Sequence, residues 1–560
     1  ALDPATGTER WSFDPKLEFA DHPARLKCLG VAYWRDPLAL SDAPCAHRIF
    51  SGTGDRRVIA VDARDGRPCT DFGVNGQVDV NPIIAATQPA PDDLWGVQFS
   101  APPVVVGDRV VFGMINNMKN LYAEAASGAI RAFDARSGAL AWSFDPVPRD
   151  PQDPAAVDWT EEARRTTGGG NAWSLLSVDE GRDLVFVPTS SASPNFFGGT
   201  RPGDNRYANS VVALRGATGE VVWHFQTIHH DVWDWDMPAQ PMLVDLPHNG
   251  AVTPAVITVT KQGFVFAFHR ETGAPLFEIE ERPVPQDGVP GETLSPTQPF
   301  PVRPPPLIEG GIAPEDAWGL TRWDRAACRA QIEQARHGPI FTPPSTEGWI
   351  MYPGSAGGMN WGGGAFDPDR NLLVTDVSHV GLWLQLLPRA ALEEETGFDP
   401  SVGAPMGRPG LIQGTDYAIS QRIFLGPLFV PCTAPPWSTL AAVDMADGTI
   451  KWQVPFGLID KLSPVPLPLE WGTPLAGGPI VTGGGLVFIG ATGDARFRAF
   501  DIETGERLWM TELPTSAHAT PMTYAADGRQ YVVVAAGGHM FIDMNAIDDY
   551  LIAFALPDRD

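Results

Sequence analysis

Lysine is the scarcest charged residue in this chain. Among 560 residues only six are lysines, at positions 16, 27, 119, 261, 451 and 461. Lys and Arg together number 40 against 67 Asp and Glu, which gives a formal net charge of −27. Such an acidic chain lacks the basic surface that nucleic acids and anionic membranes attract, so we expect neither as a partner. A lysine inside an apolar run is therefore a candidate for a specific role.

Other familiar signals are also missing. No apolar run reaches the ~18–20 residues that a membrane helix needs. No GxGxxG, GxxxxGK[ST] or GxSxG motif occurs, which excludes the usual nucleotide-binding, phosphate-transfer and serine-hydrolase sites. The chain has neither a signal peptide nor an initiator methionine, so an upstream part is expected to be missing from it.

The cysteines are few and widely spaced. Five of them lie at positions 28, 45, 69, 328 and 432, without the CxxC spacing of many metal sites. An odd number fits either reduced thiols in the core or one or two disulfides with a free thiol left over. The residues alone favour neither arrangement.

One eleven-residue pattern recurs through the chain. The good copies are ALDPATGTERW (1–11), AFDARSGALAW (132–142), ALRGATGEVVW (213–223), AVDMADGTIKW (442–452) and AFDIETGERLW (499–509); weaker ones lie at 60–70 and 267–277, and a degenerate one at 365–375. The pattern predicts a strand that ends near the Asp, a tight turn with glycine at positive φ, and a second strand that leads to the Trp.

Apolar strands precede most of the copies, so the repeat unit has about four strands and a spacing of ~50–80 residues. This predicts an all-β protein: one eight-bladed β-propeller domain over residues 1–560, with tryptophans docked between the blades. The segment 549–558 resembles another inner strand and is expected to close the ring against the N-terminal segment. Insertions at about 278–364 and 388–438 break the spacing and are expected to cap a face of the propeller.

A propeller binds ligands on its axis, where loops from all blades meet, so site residues are expected from several segments. The first candidate segment is IHHDVWDWDMP. Its Asp234, flanked by two tryptophans, would have a raised pKa that suits a general base. The competing interpretation is that the aspartates cap a turn and the histidines bind the backbone. Zinc at His229 and His230 is disfavoured, because adjacent side chains on a strand point to opposite faces.

Three further features are candidates for a site. Lys261 ends an apolar strand, where an ammonium group is costly unless it meets an anion or an acceptor. Trp173 follows a glycine-rich run in GGGNAWS, and its ring is either the floor under a planar cofactor or part of the core. The glycine-rich loops 353–364 and 535–541 allow a ligand to approach the backbone closely. His539 lies in the second of these loops.

Together these features resemble the pyrroloquinoline quinone (PQQ) dehydrogenases, and most closely their membrane-type glucose and quinate dehydrogenase branch. The resemblance covers essentially the whole chain. Its most specific segments are QTIHHDVWDWDMPAQP (226–241), SPTQPF (295–300), FTPPSTEG (341–348) and HATPMTYAADGRQYVVVAAGGH (518–539).

The resemblance implies an enzyme that oxidises a sugar, a cyclic polyol or another secondary alcohol with PQQ as cofactor. Asp234 matches the catalytic base of that family, and Lys261 matches the lysine at the quinone oxygens of PQQ. Trp173 matches the tryptophan stacked on the PQQ plane. His539 and Asp494 match residues near the cofactor. A Ca²⁺ or Mg²⁺ ion, with Asp234 as a ligand, is expected between PQQ and the base.

Three positions depart from the glucose dehydrogenase pattern. Trp34 stands where those enzymes have a histidine at the substrate entrance, and Ser355 stands where they have an asparagine. Their Asp-Asn pair before the third repeat appears here as Lys119 and Asn120, and Asn120 is expected to keep a contact with the cofactor. Together with Trp361, Trp34 and Ser355 are expected to line a substrate pocket for a bulkier or less polar alcohol than glucose.

The resemblance also implies a periplasmic protein that passes electrons to a quinone or cytochrome, and it leaves an upstream inner-membrane anchor open. It favours at least one disulfide, with Cys28–Cys45 as the candidate pair. Two alternatives stay open. One is a non-catalytic propeller scaffold or assembly protein, since such proteins share tryptophan-docking repeats. The other is a family member whose cofactor binding is altered by Lys119.

Overall fold

The computed structural model describes residues 1–17, 30–87, 89, 94, 96–393, 409–461, 467–539, 542 and 547–557. Their regular structure is almost entirely antiparallel β-sheet. The helices among them are Asn81–Ala85, Asn117–Asn120, Pro154–Asp158, Glu161–Thr166, Glu180–Arg182, Pro314–Asp316, Arg322–Gln334 and Arg389–Glu393. None of these helices is long and apolar enough to cross a membrane.

Seven sheets, which we call the first to the seventh radial sheet, follow one another along the described chain. The first contains Ala32–Arg35, His47–Gly52, Arg57–Asp62 and Gln77–Asp79; the second Val104–Val106, Arg109–Phe112, Ile130–Asp134 and Leu140–Phe144; the third Ser177–Asp179, Leu184–Pro188, Ser210–Arg215 and Val221–Gln226. The fourth contains Met242–His248, Ala251–Val259 and Val265–His269; the fifth Gly364–Asp367, Leu372–Ser378, Ser438–Asp444 and Thr449–Pro455. The sixth contains Ile480–Val481, Leu486–Ile489, Arg496–Asp501 and Arg507–Glu512, and the seventh Met522–Ala526, Arg529–Ala536 and Tyr550–Phe554.

The radial sheets surround a common axis. From the first sheet to the sixth, the first strand of each sheet contacts the first strand of the next. A cavity of about 770 Å³ lies between these inner strands and is lined by Val104, Ser177, Met242 and Phe366, among others. Sheets that radiate from an axis make a β-propeller, so the predicted fold is confirmed, whereas the number of eight blades stays a prediction.

The repeat tryptophans hold neighbouring sheets together, which explains the recurring pattern. The indole N–H of Trp142, in the second sheet, donates to the carbonyl oxygen of Gly216 in the turn of the third sheet at 2.8 Å. The Trp142 ring covers Gly219, the glycine of that turn. The same N–H to carbonyl contact joins Trp223 to Arg270, Trp452 to Ile502 and Trp11 to Ala63. The repeat therefore encodes a contact between blades.

One predicted repeat copy is a different element. Residues 365–375 form the turn between Gly364–Asp367 and Leu372–Ser378, the first two strands of the fifth sheet. Where both strands of a good copy lie in the described residues, the copy joins the third strand of a sheet to the fourth. The copy at 442–452 does so in this same sheet. The degenerate sequence at 365–375 thus belongs to the blade that already contains the copy at 442–452.

The two long insertions meet in one further sheet, which also contains a strand from the segment between them. Trp349–Met351, from the first insertion, pairs with Leu382–Pro388, which pairs in turn with Tyr417–Ile423, and Gly410–Leu411 completes the sheet. The first insertion also contains the paired strands Ile279–Pro283 with Thr297–Pro301 and Gly311–Ile312 with Gly338–Pro339, and elsewhere Val97–Gln98 pairs with Ile115–Asn116. The disulfide between Cys328 and Cys432 fastens the insertions to each other.

A second disulfide lies in the first radial sheet and joins Cys45 to Cys69. The prediction of at least one disulfide is confirmed. The predicted Cys28–Cys45 pair is wrong, because the sulfur of Cys45 is bonded to that of Cys69; Cys28 itself lies outside the described residues.

The contact between Trp142 and Gly219 predicts a stability difference between two glycine variants. In Gly219→Ala the new Cβ would lie 2.7 Å from the Trp142 ring, at a residue with φ +76°. The matched control is Gly250→Ala, where φ is +79° and no atom lies within 4 Å of the new Cβ. Both variants lose about 1 kcal/mol for the left-handed backbone, and Gly219→Ala is expected to lose a further ~1–3 kcal/mol through overpacking. Urea unfolding measures both losses, and equal losses would contradict a tight contact between blades.

Candidate active site

The candidate residues come from two kinds of loop. Trp173 and Asp234 lie between the last strand of one radial sheet and the first strand of the next. Lys261, Asp494 and His539 lie between the second and third strands of their sheets. Because successive strands are antiparallel, both kinds of loop leave the sheets at the same end. The fold therefore brings residues that are distant in sequence to one face of the propeller.

Glycines position Trp173 by allowing backbones to touch. A Cβ at Gly168 would lie 2.1 Å from the carbonyl oxygen of Ala125, and a Cβ at Gly128 would lie 2.0 Å from that of Gly169. The chain then leads to Trp173, a half-buried residue whose indole N–H donates to Oδ2 of Asp236 at 2.8 Å. The glycine-rich run thus fixes the tryptophan against the carboxylate of another blade.

Asp231 organises the turn that carries the other two aspartates. Its carboxylate accepts the backbone N–H groups of Trp233 at 2.9 Å and Trp235 at 3.1 Å, together with the hydroxyl of Ser191 and the amide of Asn209. The side chain is buried, and burial raises the pKa of Asp231. Asp231 therefore caps a turn, as the competing interpretation predicted for the aspartates of this segment.

The two tryptophans of the turn stack on one another. The ring centroids of Trp233 and Trp235 are 5.7 Å apart with an interplanar angle of 20°, and Phe341 meets both rings edge-on. Their indole N–H groups donate to the carbonyl oxygens of Thr342 and Gly354 in the first insertion, at 2.8 and 3.1 Å. The insertion is thus anchored directly on the turn and forms a wall beside the site.

A buried ion pair lies at the centre of the face. Nζ of Lys119 is 2.8 Å from Oδ1 and 3.0 Å from Oδ2 of Asp236, and 3.4 Å from Oδ1 of Asp234. Asp236 also accepts the N–H and the hydroxyl of Ser191, at 2.8 and 2.7 Å. Burial opposes the charged form of Asp236, but the charges of Lys119 and Lys261 and these hydrogen bonds lower its pKa well below the usual range. Asp236 is therefore negatively charged, and both of its carboxylate oxygens already accept hydrogen bonds.

Asp234 differs from Asp236 in having an open oxygen. Its backbone has φ +57°, and its carbonyl oxygen accepts from Nζ of Lys261 at 2.6 Å. Oδ1 accepts from Nδ2 of Asn195 at 2.5 Å, whereas no hydrogen bond from the described residues reaches Oδ2. The side chain is 21% exposed, against 6% for that of Asp236. Burial raises the pKa of Asp234 to about 6, in opposition to Lys261 and Lys119, which confirms the predicted direction.

Asn195 extends the cluster to Asn120. Its Nδ2 donates to Oδ1 of Asn120 at 2.6 Å as well as to Asp234. Both Asn120 and Lys119 come from the short helix Asn117–Asn120, whose first turn is capped by the side chain of Asn116. The site thus joins Asp234, Lys261, Trp173 and Asn120, as the sequence predicted.

Sequence reasoning missed the partners that connect these residues. Asn195 and Ser191 had no role assigned to them, Asp231 and Asp236 were considered only as caps of a turn, and Lys119 was noted only as a departure from a pattern. The scarcity of lysine was a usable signal for Lys119, which is 4% exposed. Asn195 and Ser191 lie in an uncharged stretch without any motif, so only the three-dimensional contacts identify them.

Asp494 and His539 have partners of their own. Asp494 is fully buried and accepts the N–H of Leu458 at 2.9 Å and the hydroxyl of Thr492 at 2.7 Å. Burial opposes its charge, but the neighbouring Arg498 guanidinium lowers its pKa. Asp494 thereby ties two loops together. The ring of His539 lies 5.3 Å from the ring of His518. Cofactor contacts for both residues stay predictions.

The three residues expected to line a substrate pocket lie in different surroundings. Trp34 is 5% exposed, donates to the carbonyl oxygen of Gly107 at 3.0 Å and has the Arg136 guanidinium over its ring. It packs between the first and second sheets in the manner of the repeat tryptophans. Ser355 follows Gly354, the residue that accepts the indole N–H of Trp235. Ser355 therefore lies beside the site, whereas Trp34 occupies a contact between blades.

Trp361 belongs to a loop whose glycines contact protein backbone. It is half-buried next to Gly362, where a Cβ would lie 1.3 Å from the carbonyl oxygen of Gly477. Earlier in the loop, a Cβ at Gly357 would lie 2.5 Å from the Cβ of Lys261. These glycines are needed where loops pack on one another and on Lys261. Substrate contacts of Trp34, Ser355 and Trp361 stay predictions.

The two histidines face the first insertion. Nε2 of His230 is 2.8 Å from Oε1 of Glu292, and its Nδ1 is 2.7 Å from the carbonyl oxygen of Gly203. Nε2 of His229 is 3.1 Å from Oε1 of Glu281. The imidazoles thus support the loop instead of forming a zinc site.

The residues around Trp173 and Lys261 fit a planar, anionic quinone. The ammonium of Lys119 and the indole N–H of the half-buried Trp173 share the carboxylate of Asp236, and the ammonium of Lys261 contacts Asp234. Gln262 follows Lys261 in the chain, and both polar atoms of its side-chain amide are buried without a hydrogen bond to any described residue. The hydroxyl of Ser174, which follows Trp173, is likewise buried without a hydrogen-bond partner among the described residues. Buried polar groups without partners are costly, and a polar ligand at this position meets the need.

The oxygens of Asp234 and Asp236 that face each other contact an ammonium group, which takes the place of a divalent metal ion between them. No group of three or more His, Cys, Asp or Glu suited to a metal occurs in the described ranges. Beside Asp234 and Asp236 the third charged group is the ammonium of Lys119, which has no lone pair to donate. The Ca²⁺ or Mg²⁺ ion expected at Asp234 stays a prediction from the resemblance alone.

Comparison with known proteins identifies the family of the chain. The family model described as "PQQ: Glucose/ethanol/alcohol dehydrogenase, beta-propeller domain" matches residues 1–532. The chain is 34% identical to quinoprotein glucose dehydrogenase of Escherichia coli (strain K12), with all of this chain and 70% of the relative covered. It is 37% identical to a probable quinate dehydrogenase (quinone) of Xanthomonas campestris pv. juglandis, covering all of this chain and 72% of the relative.

A further relative and one solved structure extend the comparison. The glycerol dehydrogenase large subunit of Gluconobacter thailandicus is 36% identical, with all of this chain and 76% of the relative covered. The crystal structure of quinohemoprotein alcohol dehydrogenase from Comamonas testosteroni has a TM-score of 0.66 at 23% identity, covering 99% of this chain and 71% of that one, and it supports the fold alone. The chain therefore belongs to the PQQ-dependent quinoprotein dehydrogenases, propeller oxidoreductases that act on CH–OH donors.

Proposed function

We propose that this protein oxidises a polyol or cyclic secondary alcohol to the carbonyl compound, with Asp234 as the general base and PQQ as the hydride acceptor. The observation that carries the proposal is the open Oδ2 of Asp234, on a carboxylate whose pKa burial raises to about 6. A base whose pKa is near the working pH is deprotonated in a large fraction of the molecules and still binds the substrate proton strongly enough to remove it. Asp236 and Asp231 lack such an open, accessible oxygen.

The chain's own residues orient the base and its proton. Asn195 and Lys119 both contact Oδ1 of Asp234, and Lys261 holds its backbone carbonyl oxygen. Oδ2 is left to accept the hydroxyl proton of the substrate. The stacked Trp233 and Trp235 close the opposite side of the turn and keep water away from it. Preorganised charges in such a dry site act more strongly than they would in water.

Trp173, Lys261 and Asn120 are the residues proposed to hold PQQ, with Gln262 and Ser174 as further polar contacts. When bound, PQQ supplies an electrophilic quinone carbon that takes the hydride from the alcohol carbon. The ammonium of Lys261 offsets negative charge beside the quinone oxygens. His539 and Asp494 remain part of the proposed cofactor surroundings on the strength of the resemblance.

The substrate class is proposed from the departures from the glucose pattern and from the relatives. Lys119 and Ser355 change the charge and the size of the groups beside Asp234. Two of the relatives described above are named for quinate and glycerol, so polyols are within the range of this family. We propose Ser355 and Trp361 as pocket residues, and Trp34 as a residue that acts on the pocket through the packing of its blade.

We also propose a periplasmic location and a quinone as electron acceptor, with a cytochrome as the second candidate. The proposal is supported by the word quinone in the name of the Xanthomonas relative and by the two disulfides, which persist in oxidising compartments. The one-domain organisation of residues 1–560 is part of the same proposal. A purely structural scaffold is set aside because the family consists of enzymes.

Replacement of the base tests the central assignment. Asp234→Asn keeps the size of the side chain, and asparagine also tolerates the left-handed backbone of this position, but the variant lacks the proton acceptor. We expect kcat to fall by about 10²–10⁴-fold while PQQ is still bound. Dye reduction across a panel of glucose, glycerol, quinate and other cyclic polyols measures the loss. The control is Asp245→Asn, at a carboxylate that is 65% exposed at the edge of the fourth sheet. Full turnover by Asp234→Asn would refute the assignment.

The raised pKa of Asp234 predicts the pH profile. A base works only when deprotonated, so kcat/KM, which reports the pKa of the enzyme without substrate, is expected to fall about tenfold per pH unit below about 6. An ordinary aspartate would retain its activity down to about pH 4. The residual activity of Asp234→Asn serves as the control, since it should lack this acidic limb. A wild-type limb near pH 4 would contradict the desolvated environment.

A further inference from the structure

A positive charge already lies beside Asp234, the residue at which the family resemblance predicts a divalent metal ion. Nζ of Lys119 contacts both Asp236 oxygens and Oδ1 of Asp234, and it lies 3.5 Å from Oδ1 of Asn195. These are the oxygen ligands that a hard cation would use. An ammonium group surrounded by side-chain oxygens from two loops occupies the position of such a cation.

The geometry leaves no room for a second cation between Asp234 and Asp236. Ca²⁺ binds its oxygen ligands at about 2.3–2.6 Å, so an ion shared by Asp234 and Asp236 would need the position of Nζ. Two positive groups a few ångströms apart in a buried site repel each other strongly. Lys119 is 6% exposed at its side chain, and moving it aside would break its contacts with both oxygens of Asp236.

The charges of the cluster balance without a metal. Asp234 and Asp236 are the two carboxylates in contact with Lys119, and Lys261 supplies the second ammonium beside Asp234. Asp231 lies on the same turn but has donors of its own, the N–H groups of Trp233 and Trp235, and does not contact Lys119. A divalent ion added to this set would leave two uncompensated positive charges in a buried site, which is costly.

We propose that the ammonium of Lys119 is the resident cation of this active site, and that PQQ binding and alcohol oxidation by this protein need no Ca²⁺ or Mg²⁺. The inference rests on the proposed function, because it concerns the same site. Lys119 holds Asp234 and Asp236 in place and provides the positive charge that the family is expected to obtain from a metal. Its role is that of a positioning residue.

The first test uses the complete protein, stripped of metal by EDTA. Equilibrium dialysis with PQQ is carried out in EDTA, in Ca²⁺ and in Mg²⁺, and the bound PQQ and the metal content of the dialysed protein are measured. The expected result is the same PQQ affinity in all three conditions and no stoichiometric metal. Binding only after Ca²⁺ or Mg²⁺ is added would overturn the inference and leave the proposed function intact.

The outcome in which no condition gives PQQ binding is separate. It would overturn the proposed function and the inference with it. The two failures are therefore distinguishable by the metal-supplemented arm. Dye-linked turnover in EDTA is a second readout and is expected to match the turnover in Ca²⁺.

The second test replaces the ammonium of Lys119 by a carboxylate. Lys119→Asp replaces the ammonium by a third carboxylate next to Asn120, so the site becomes a set of oxygen donors. In EDTA its PQQ affinity is expected to fall by roughly 30-fold or more, and Ca²⁺ is expected to restore it together with one bound metal per chain. Lys119→Asp that binds PQQ in EDTA as tightly as the unmodified protein would overturn the inference.

A second variant covers the case in which Lys119→Asp does not fold, as judged by circular dichroism and thermal unfolding. Lys119→Met keeps the length of the side chain and removes its charge. It is expected to show the same loss of PQQ affinity in EDTA, and an unchanged affinity would overturn the inference. The matched control is Lys451→Met, which removes a surface lysine paired with Glu503 and should leave PQQ binding unchanged.

Discussion

The ion pair between Lys119 and Asp236 is the interaction on which the organisation of the site depends. Two groups with this little exposure are tolerated in a protein interior only when they are paired and their remaining hydrogen bonds are satisfied. Asp236 meets that condition through Ser191 and Trp173, and Lys119 meets it through Asp234 and Asn195. Removing either partner would leave a buried charge, so the loops that carry them are fixed relative to each other.

The same pair explains how different blades make one site. Lys119 comes from the loop after the second strand of the second sheet, Trp173 and Asp236 from the loops on either side of the third, and Lys261 from the fourth. The propeller places these loops at one end, but the placement alone would allow each loop several conformations. The shared carboxylate and ammonium groups select one of them, while the stacked tryptophans and the first insertion hold the turn from the other side.

Much of this could be predicted from the sequence, because the repeat encodes a local contact. The Trp and the Gly of the pattern meet between adjacent blades, the Asp accepts hydrogen bonds from the N–H groups of its own turn, and their spacing is constant. Asp234, Lys261, Trp173 and Asn120 were also predicted. The copy at 365–375 and the pair Cys28–Cys45 were wrong for one reason: a spacing along the chain does not say which strand of a blade a segment forms, or which sulfur lies opposite another.

The partners of the site were harder to predict for a related reason. Asn195, Ser191 and Asp236 act through contacts between segments separated by as many as 117 residues, and no local pattern records such contacts. Lys119 shows the limit most clearly. A resemblance carries a family's ligand set onto matching positions, and at this position the residue has the opposite charge from the one expected. In our proposal the lysine provides positive charge beside Asp234, where a divalent ion was expected, so a physical requirement can be conserved even where the chemical group that meets it has changed.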